Sequence, residues 1–186
     1  MLQDKTRPAS SDGGKAQSLQ LHGALVRVFE IGVLLIGESG IGKSESALDL
    51  VTRGHQLIAD DVVDVKLTDG VLVGRAPEMI YGLLEIRGLG IFDVRKAFGD
   101  GATSARSSIE LCIELRKDAD IERVGNFVHE YEIASHQIPR FILPVTPGRN
   151  LAILVETAVR LYLNRYNGAA AGDNLLAADL DQIAAG

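Results

Sequence analysis

The sequence predicts a single α/β domain, and three observations carry that prediction. Strand-like apolar runs alternate with helical periodicity, a glycine-rich loop joins a buried strand to a helix, and an amphipathic helix follows the last strand. The 186 residues hold 19 Lys+Arg against 25 Asp+Glu, a formal charge of −6, with 46% hydrophobic and 24% charged residues. That balance describes one soluble globular domain with a core of its own. Cys112 is the one cysteine. It can form neither an internal disulfide nor a C-x-x-C pair, and it reads as an inert buried thiol in a reducing cytoplasmic setting. The longest fully apolar stretches, 32–37 and 151–155, fall far short of the roughly 18 residues that span a bilayer. The polar N-terminus has no signal-like apolar core, so neither membrane attachment nor secretion is expected. An acidic balance with 5% aromatics and no long Lys/Arg run also argues against nucleic-acid binding.

Residues 1–20 mix Pro, Gly, Ser and charge without periodicity and read as a flexible tail. Residues 24–31 have strand character and 32–36 form a buried strand. Residues 44–52 carry Ala47, Leu48 and Val51 at helical spacing. The apolar run 56–59 stops at Asp60 and Asp61. Residues 62–67 then alternate, and Thr68-Asp69-Gly70 turns the chain into Val71-Leu72-Val73, a hairpin that begins at paired carboxylates. Residues 76–100 are glycine-rich and are expected to be a functional loop. Residues 109–115 alternate charged and apolar side chains as an edge-like strand, 122–125 turn the chain, and 141–144 form a short strand closed by Pro147-Gly148. From Asn150, a plausible N-cap, Leu151, Leu154, Val155, Ala158, Val159 and Tyr162 follow the spacing of an amphipathic helix. The Ala-rich end, residues 167–186, reads as a partly helical tail.

Gly37-Glu38-Ser39-Gly40-Ile41-Gly42-Lys43-Ser44 fits G-x-x-x-x-G-K-[ST] in the strand–loop–helix context that the motif requires. Its glycines let consecutive backbone N–H groups curl around an anion, and the helix start adds its positive end. Lys43 can reach β/γ-phosphates and Ser44 can ligate Mg²⁺. Phosphoryl transfer also needs a second metal contact, a group to deprotonate the acceptor, and cations for the charge that develops. Asp60 and Asp61, ending the next apolar strand, are candidates; from spacing alone they read equally as exposed turn residues. Neighbours on a strand face opposite ways, so the two should differ in role. Glu85 and Arg87 would share one face of an extended segment, one holding metal and the other phosphate, or would simply pair at the surface.

These motifs in this order resemble the catalytic domain of the HPr kinase/phosphorylase family over residues 21–166. The resemblance rests on His22-Gly23, the glycine loop, Gly54-His55 with Ala59-Asp60-Asp61, residues 84–91, Glu122-Arg123-Val124-Gly125, and residues 144–150. It implies a P-loop α/β domain with a twisted mixed sheet, phosphoenolpyruvate-carboxykinase-like, with C-terminal helices. It also implies ATP-dependent phosphorylation of a serine of the phosphocarrier protein HPr, and reverse phosphorolysis, in a cytoplasmic homohexamer. By resemblance, Lys43 and the loop hold the ATP phosphates while Ser44 and Glu85 bind Mg²⁺. Asp61 is general base forward and acid in reverse, Asp60 assists, and His22 and Arg123 stand near the transferred phosphate. Leu84-Glu85-Ile86-Arg87-Gly88-Leu89-Gly90-Ile91-Phe92-Asp93 serves both directions, and Pro144-Val145-Thr146-Pro147-Gly148-Arg149 serves dephosphorylation. Thr146 stands where the family usually has Arg, which predicts weak phosphorolysis. Two other readings stay open: a kinase of another acceptor, and a nucleotide-sensing module without turnover.

Overall fold

A computed structural model describes residues 18–117 and 129–170. Strands β1 (Ser18–His22), β2 (Ala24–Val28) and β3 (Ile31–Gly37) lead through the glycine loop into helix α1 (Lys43–Thr52). Next come β4 (Gln56–Ala59), β5 (Val62–Thr68), β6 (Val71–Arg75), β7 (Leu83–Ile86), β8 (Gly90–Asp93) and the short helix α2 (Val94–Phe98). The described chain ends with β9 (Ser107–Ser108), β10 (Leu111–Arg116), β11 (His129–Ile133), β12 (His136–Pro144) and helix α3 (Leu151–Ala170).

The result is a mixed α/β fold. A six-stranded sheet runs β11-β12-β10-β3-β2-β4, with β10 parallel to both β3 and β12 and the other pairs antiparallel. A four-stranded sheet runs β1-β5-β6-β9, and β7 and β8 pair separately. Side chains alternate across a strand, so the six-stranded sheet feeds two cores. Val26, Val33, Leu35 and Ile113 join Ala47, Leu50, Val155 and Val159 of α1 and α3 on one side. Leu25, Leu34, Ile58 and Cys112 meet Val63, Val65 and Leu72 of the smaller sheet on the other. Burying each such Leu or Val contributes roughly 1.5–3 kcal/mol relative to exposure. Cys112 is fully buried, and burial pushes its thiol up to about 12, consistent with the inert thiol expected.

Two chain segments cross from one sheet to the other side by side. The chain passes from β1 to β2 at Gly23 and from β4 to β5 at Asp60-Asp61, while β1 pairs with β5 and β2 with β4. The Gly23 N–H donates to the Asp61 carbonyl at 3.1 Å. A Cβ on Gly23 would sit 2.6 Å from the Leu35 carbonyl oxygen, so this corner admits no side chain.

The hairpin at β5–β6 and the helix capped by Asn150, whose Oδ1 accepts from the Ile153 N–H at 3.0 Å, follow the sequence expectation. Several details depart from it. β1 starts at Ser18, inside the stretch expected as tail, because its residues pair with β5. The expected loop at 76–100 holds the β7–β8 hairpin and α2; its glycines serve the hairpin turn, where Gly88 and Gly90 take φ of 89° and 82°. β10 is central rather than an edge strand, and β12 begins at His136. One helix, α3, follows the last strand among the described residues where helices were expected. Among those residues no helix is long and apolar enough to cross a membrane.

Candidate active site

The glycine loop is held at both ends by packing. Gly37 lies against the Leu115 carbonyl, at a distance where a Cβ would stand only 2.4 Å away, and Ile41 is buried in the helix-side core. Between them Glu38, Ser39 and Gly40 are exposed. Gly42 takes a left-handed φ of 106° and starts α1 without a side-chain cap. The first-turn N–H groups of a helix have no intrahelical acceptor, so this end offers donors and the positive end of the helix dipole. Lys43 is 8% exposed, and its Nζ donates to the Gly37 and Glu38 carbonyls at 2.9 and 3.0 Å. That geometry fixes the ammonium beneath the loop.

Asp60 and Asp61 do divide their roles. Asp60 is buried and accepts from the Ser44 Oγ at 3.0 Å on each carboxylate oxygen. Burial pushes its carboxyl above the usual range, opposed by the Ser44 hydroxyl and by the backbone N–H groups of Glu85 and Asp61. Asp61 points outward from the corner between the sheets. The Val62 N–H donates to the Asp60 carbonyl at 2.8 Å, and Asp61 between them takes φ of 65°. An i→i+2 turn about a left-handed non-glycine residue is a strained arrangement of the kind that clusters at reactive sites. His22 Nδ1 lies 3.2 Å from Asp61 Oδ1, with the side chains 57% and 71% exposed.

The β7–β8 hairpin closes the site from a third side. Leu84 and Ile86 are buried in the core that holds Ile41, while Glu85 faces outward. Arg87 lies past the end of β7, in the turn, so the expected shared strand face with Glu85 does not form. Instead Arg87 Nη2 approaches Gly40, where a Cβ would lie 3.1 Å from it. Within the same stretch Asp93 serves structure. It accepts from the Arg95 N–H at 3.0 Å as the N-cap of α2 and pairs with the Arg95 guanidinium, which holds its carboxyl below the usual range. Leu89 and Ile91 are exposed, Phe92 packs partly against the core, and Gly88 and Gly90 form the turn.

Pro144 ends β12, and Val145 N–H donates to the Arg116 carbonyl at 2.9 Å. Thr146, Pro147, Gly148 and Arg149 are exposed in a turn closed by the Arg149 N–H on the Thr146 carbonyl at 3.2 Å. Arg123 and the turn at 122–125 lie outside the described residues. The Ser44–Asp60 bond and the approach of Arg87 to Gly40 were not anticipated. The abrupt aspartate end of an apolar run was the one signal for the first, and nothing local in the sequence signals the second.

Fold and site together define a class: a mixed α/β domain whose glycine loop, between a buried strand and a helix, ends in a serine held by a buried aspartate, with the next aspartate exposed beside a histidine. The chain belongs to the HPr Serine kinase C-terminal domain family, whose model matches residues 15–178. It is 48% identical over 147 residues to the HPr kinase/phosphorylase of Caldicellulosiruptor bescii, covering 77% of this chain and 47% of that one. It is also 48% identical over 151 residues to that of Latilactobacillus sakei, covering 79% and 48%. The chain thus spans about half the length of the curated relatives it matches. The solved structure of the Hpr(Ser) kinase/phosphatase from Coxiella burnetii superposes with a TM-score of 0.78 at 35% identity, covering 83% of this chain and 96% of that one.

Proposed function

We propose that this chain is a catalytic domain that transfers the γ-phosphoryl group of ATP to a serine of HPr and, less efficiently, reverses the step with inorganic phosphate. The observation that carries the reading is the pair of side-chain contacts at the sheet corner. One aspartate is buried on the Ser44 hydroxyl, and its neighbour stands exposed beside His22. A buried carboxylate on the loop serine suits metal handling, and a solvated one suits proton transfer.

On this reading residues 37–44 are a phosphate loop in a phosphoenolpyruvate-carboxykinase-like domain, with the N–H groups of α1 and Lys43 binding the β- and γ-phosphates. Ser44, Asp60 and Glu85 offer hard oxygen donors of the kind Mg²⁺ takes. The ion when bound neutralises charge on the phosphates. Asp61 accepts the seryl proton as the seryl oxygen bonds to the γ-phosphorus and the bond to the β,γ-bridging oxygen breaks, ADP leaving with the electron pair. In reverse, an oxygen of inorganic phosphate bonds to the phosphoserine phosphorus as the bond to the seryl oxygen breaks, pyrophosphate leaves, and Asp61 returns the proton to the seryl oxygen. His22 orients the Asp61 carboxylate. We take the domain to act in the cytoplasm, within the homohexamer expected of the family, with Arg123 near the transferred group.

Incubation with γ-labelled ATP, Mg²⁺ and purified HPr tests the reading. Label on an HPr serine is the expected result. Nucleotide binding without transfer to HPr would overturn it in favour of a sensing module.

A further inference from the structure

We propose that the turn after β12 and the start of α3 form the nucleoside side of this site, with Val145 and Leu151 as an apolar shelf for the purine base and Arg149 as the cation that stacks on it. The inference rests on the phosphoryl-transfer reading above and says where the part of ATP that does not react is held.

The sheet order sets the direction in which a nucleotide must lie. β3, which feeds the glycine loop, runs parallel to β10, and β10 runs parallel to β12, with Gly37 level with Leu115 and Leu115 level with Leu143. These three strands end at one edge, the edge at which open α/β sheets bind their ligands. On the other side of β3 lie β2 and then β4, and the Asp60-Asp61 corner follows β4. There Ser44 bonds Asp60, Asp61 stands beside His22, and the Glu85 N–H meets the Asp60 carboxylate. The described groups that suit metal and proton handling thus lie on the β4 side of the loop. The γ-phosphate must face them, so the α-phosphate and the nucleoside leave towards the ends of β10 and β12.

What stands at those ends suits a base. Val145 and Leu151 are half-buried and pack on the same core as Ile41 of the loop. A Cβ on Gly42 would lie 3.8 Å from Leu151 Cδ1, so the shelf adjoins the start of α1 directly. The Val145 N–H on the Arg116 carbonyl and the Asn150 cap of α3 fix the two ends of the turn. Between them Arg149 is exposed, and its guanidinium makes no hydrogen bond or ion pair among the described residues. A planar guanidinium with no carboxylate on it is free to stack on a ring. An apolar floor with few converging polar groups is the common make-up of a small-molecule site. A solvated turn arginine, the plain alternative, would be indifferent to whether the bound diphosphate carries a base.

The test compares wild type with Arg149→Ala by calorimetry, using MgADP and magnesium pyrophosphate, which share a diphosphate and differ in the nucleoside. We expect Arg149→Ala to lose about threefold to thirtyfold in MgADP affinity, the range for a cation over a ring. Its pyrophosphate affinity should stay within about twofold of wild type, which also reports an intact fold. Photolabelling of wild type with 8-azido-ADP, read by mass spectrometry, should place the label within residues 145–153. Equal weakening of both ligands, no weakening of either, or label confined to residues 20–23 and 60–64 would overturn the proposal. If affinity and label fall as expected while HPr remains unlabelled by ATP, the nucleoside site stands and the assignment of HPr as acceptor falls. A wild type that binds neither ligand would remove the phosphate-loop reading and the nucleoside site together.

Discussion

His22 Nδ1 lies 3.2 Å from Asp61 Oδ1 because both residues sit where the chain crosses between sheets. β1 and β5 pair in the smaller sheet and β2 and β4 in the larger, so the two crossings are forced into contact. The Gly23 N–H on the Asp61 carbonyl fixes their offset. The proposed base is therefore positioned by topology, and its strained backbone is held by hydrogen bonds on both sides.

Asp60 trades stability for function. An acid whose folded pKa is raised contributes a penalty wherever it is ionised in the fold, so at neutral pH the buried Asp60 carboxylate works against folding. Asp60→Asn should raise the thermal midpoint at neutral pH and lose that advantage as pH falls through the raised folded value of Asp60 towards 3.8, the ordinary value, below which the carboxyl is protonated in both states. The same variant should weaken Mg²⁺-dependent transfer, because the Ser44 hydroxyl loses a charged acceptor. Thermal melts across pH together with initial rates check both halves; a lower midpoint at neutral pH would contradict the account.

Thr146 is exposed in a turn whose one described backbone bond is its own carbonyl with the Arg149 N–H. An Arg there would offer charge-assisted donors worth roughly 1.5–3 kcal/mol, about tenfold to a hundredfold in rate if felt only in the transition state. Thr146→Arg should raise phosphorolysis more than phosphorylation, measured as pyrophosphate formed from phosphoserine-HPr and inorganic phosphate. Equal reverse rates would show that position 146 carries no directional meaning.

Glu156 of α3 clamps the end of α1. It accepts from Arg53 Nε and Nη2 at 2.9 and 2.6 Å and meets His55 Nε2 at 2.9 Å. The Arg53 fork, with the His55 bond, lowers its carboxyl from 4.5 to about 2. A depressed acid stabilises the fold above its ordinary value and loses that contribution as pH drops from 4.5 towards about 2. Glu156→Gln should therefore be less stable than wild type at neutral pH, with the gap closing across that acid window. Denaturant midpoints at a series of pH values measure it, and a pH-independent gap would refute the assignment.

Local chemistry was legible in the sequence and long-range pairing was not. The glycine loop, the hairpin from 62 to 75 and the Asn150 cap depend on neighbours in the chain, and each is where the pattern put it. β10 reads as an edge because Glu114 interrupts its apolar run, yet it is central. Glu114 is compensated by Arg116 at 2.6 Å and by Arg140 of the adjacent strand at 3.1 Å, a partner far away in sequence. The β7–β8 hairpin was hidden because its strands are four residues each and its turn glycines dominate the local composition. At the site, the difference between Asp60 and Asp61 was predictable from alternation, but which one meets Ser44 depends on the corner.

The most direct test of the central claim is single-turnover transfer in both directions with Asp61→Asn. The variant keeps size and hydrogen bonding but cannot take a proton. The account predicts MgADP affinity close to wild type, with serine phosphorylation of HPr and phosphorolysis both falling by ~10²-fold or more. Loss in one direction only, or transfer at the wild-type rate, would contradict the assignment of Asp61 as the group that moves the proton.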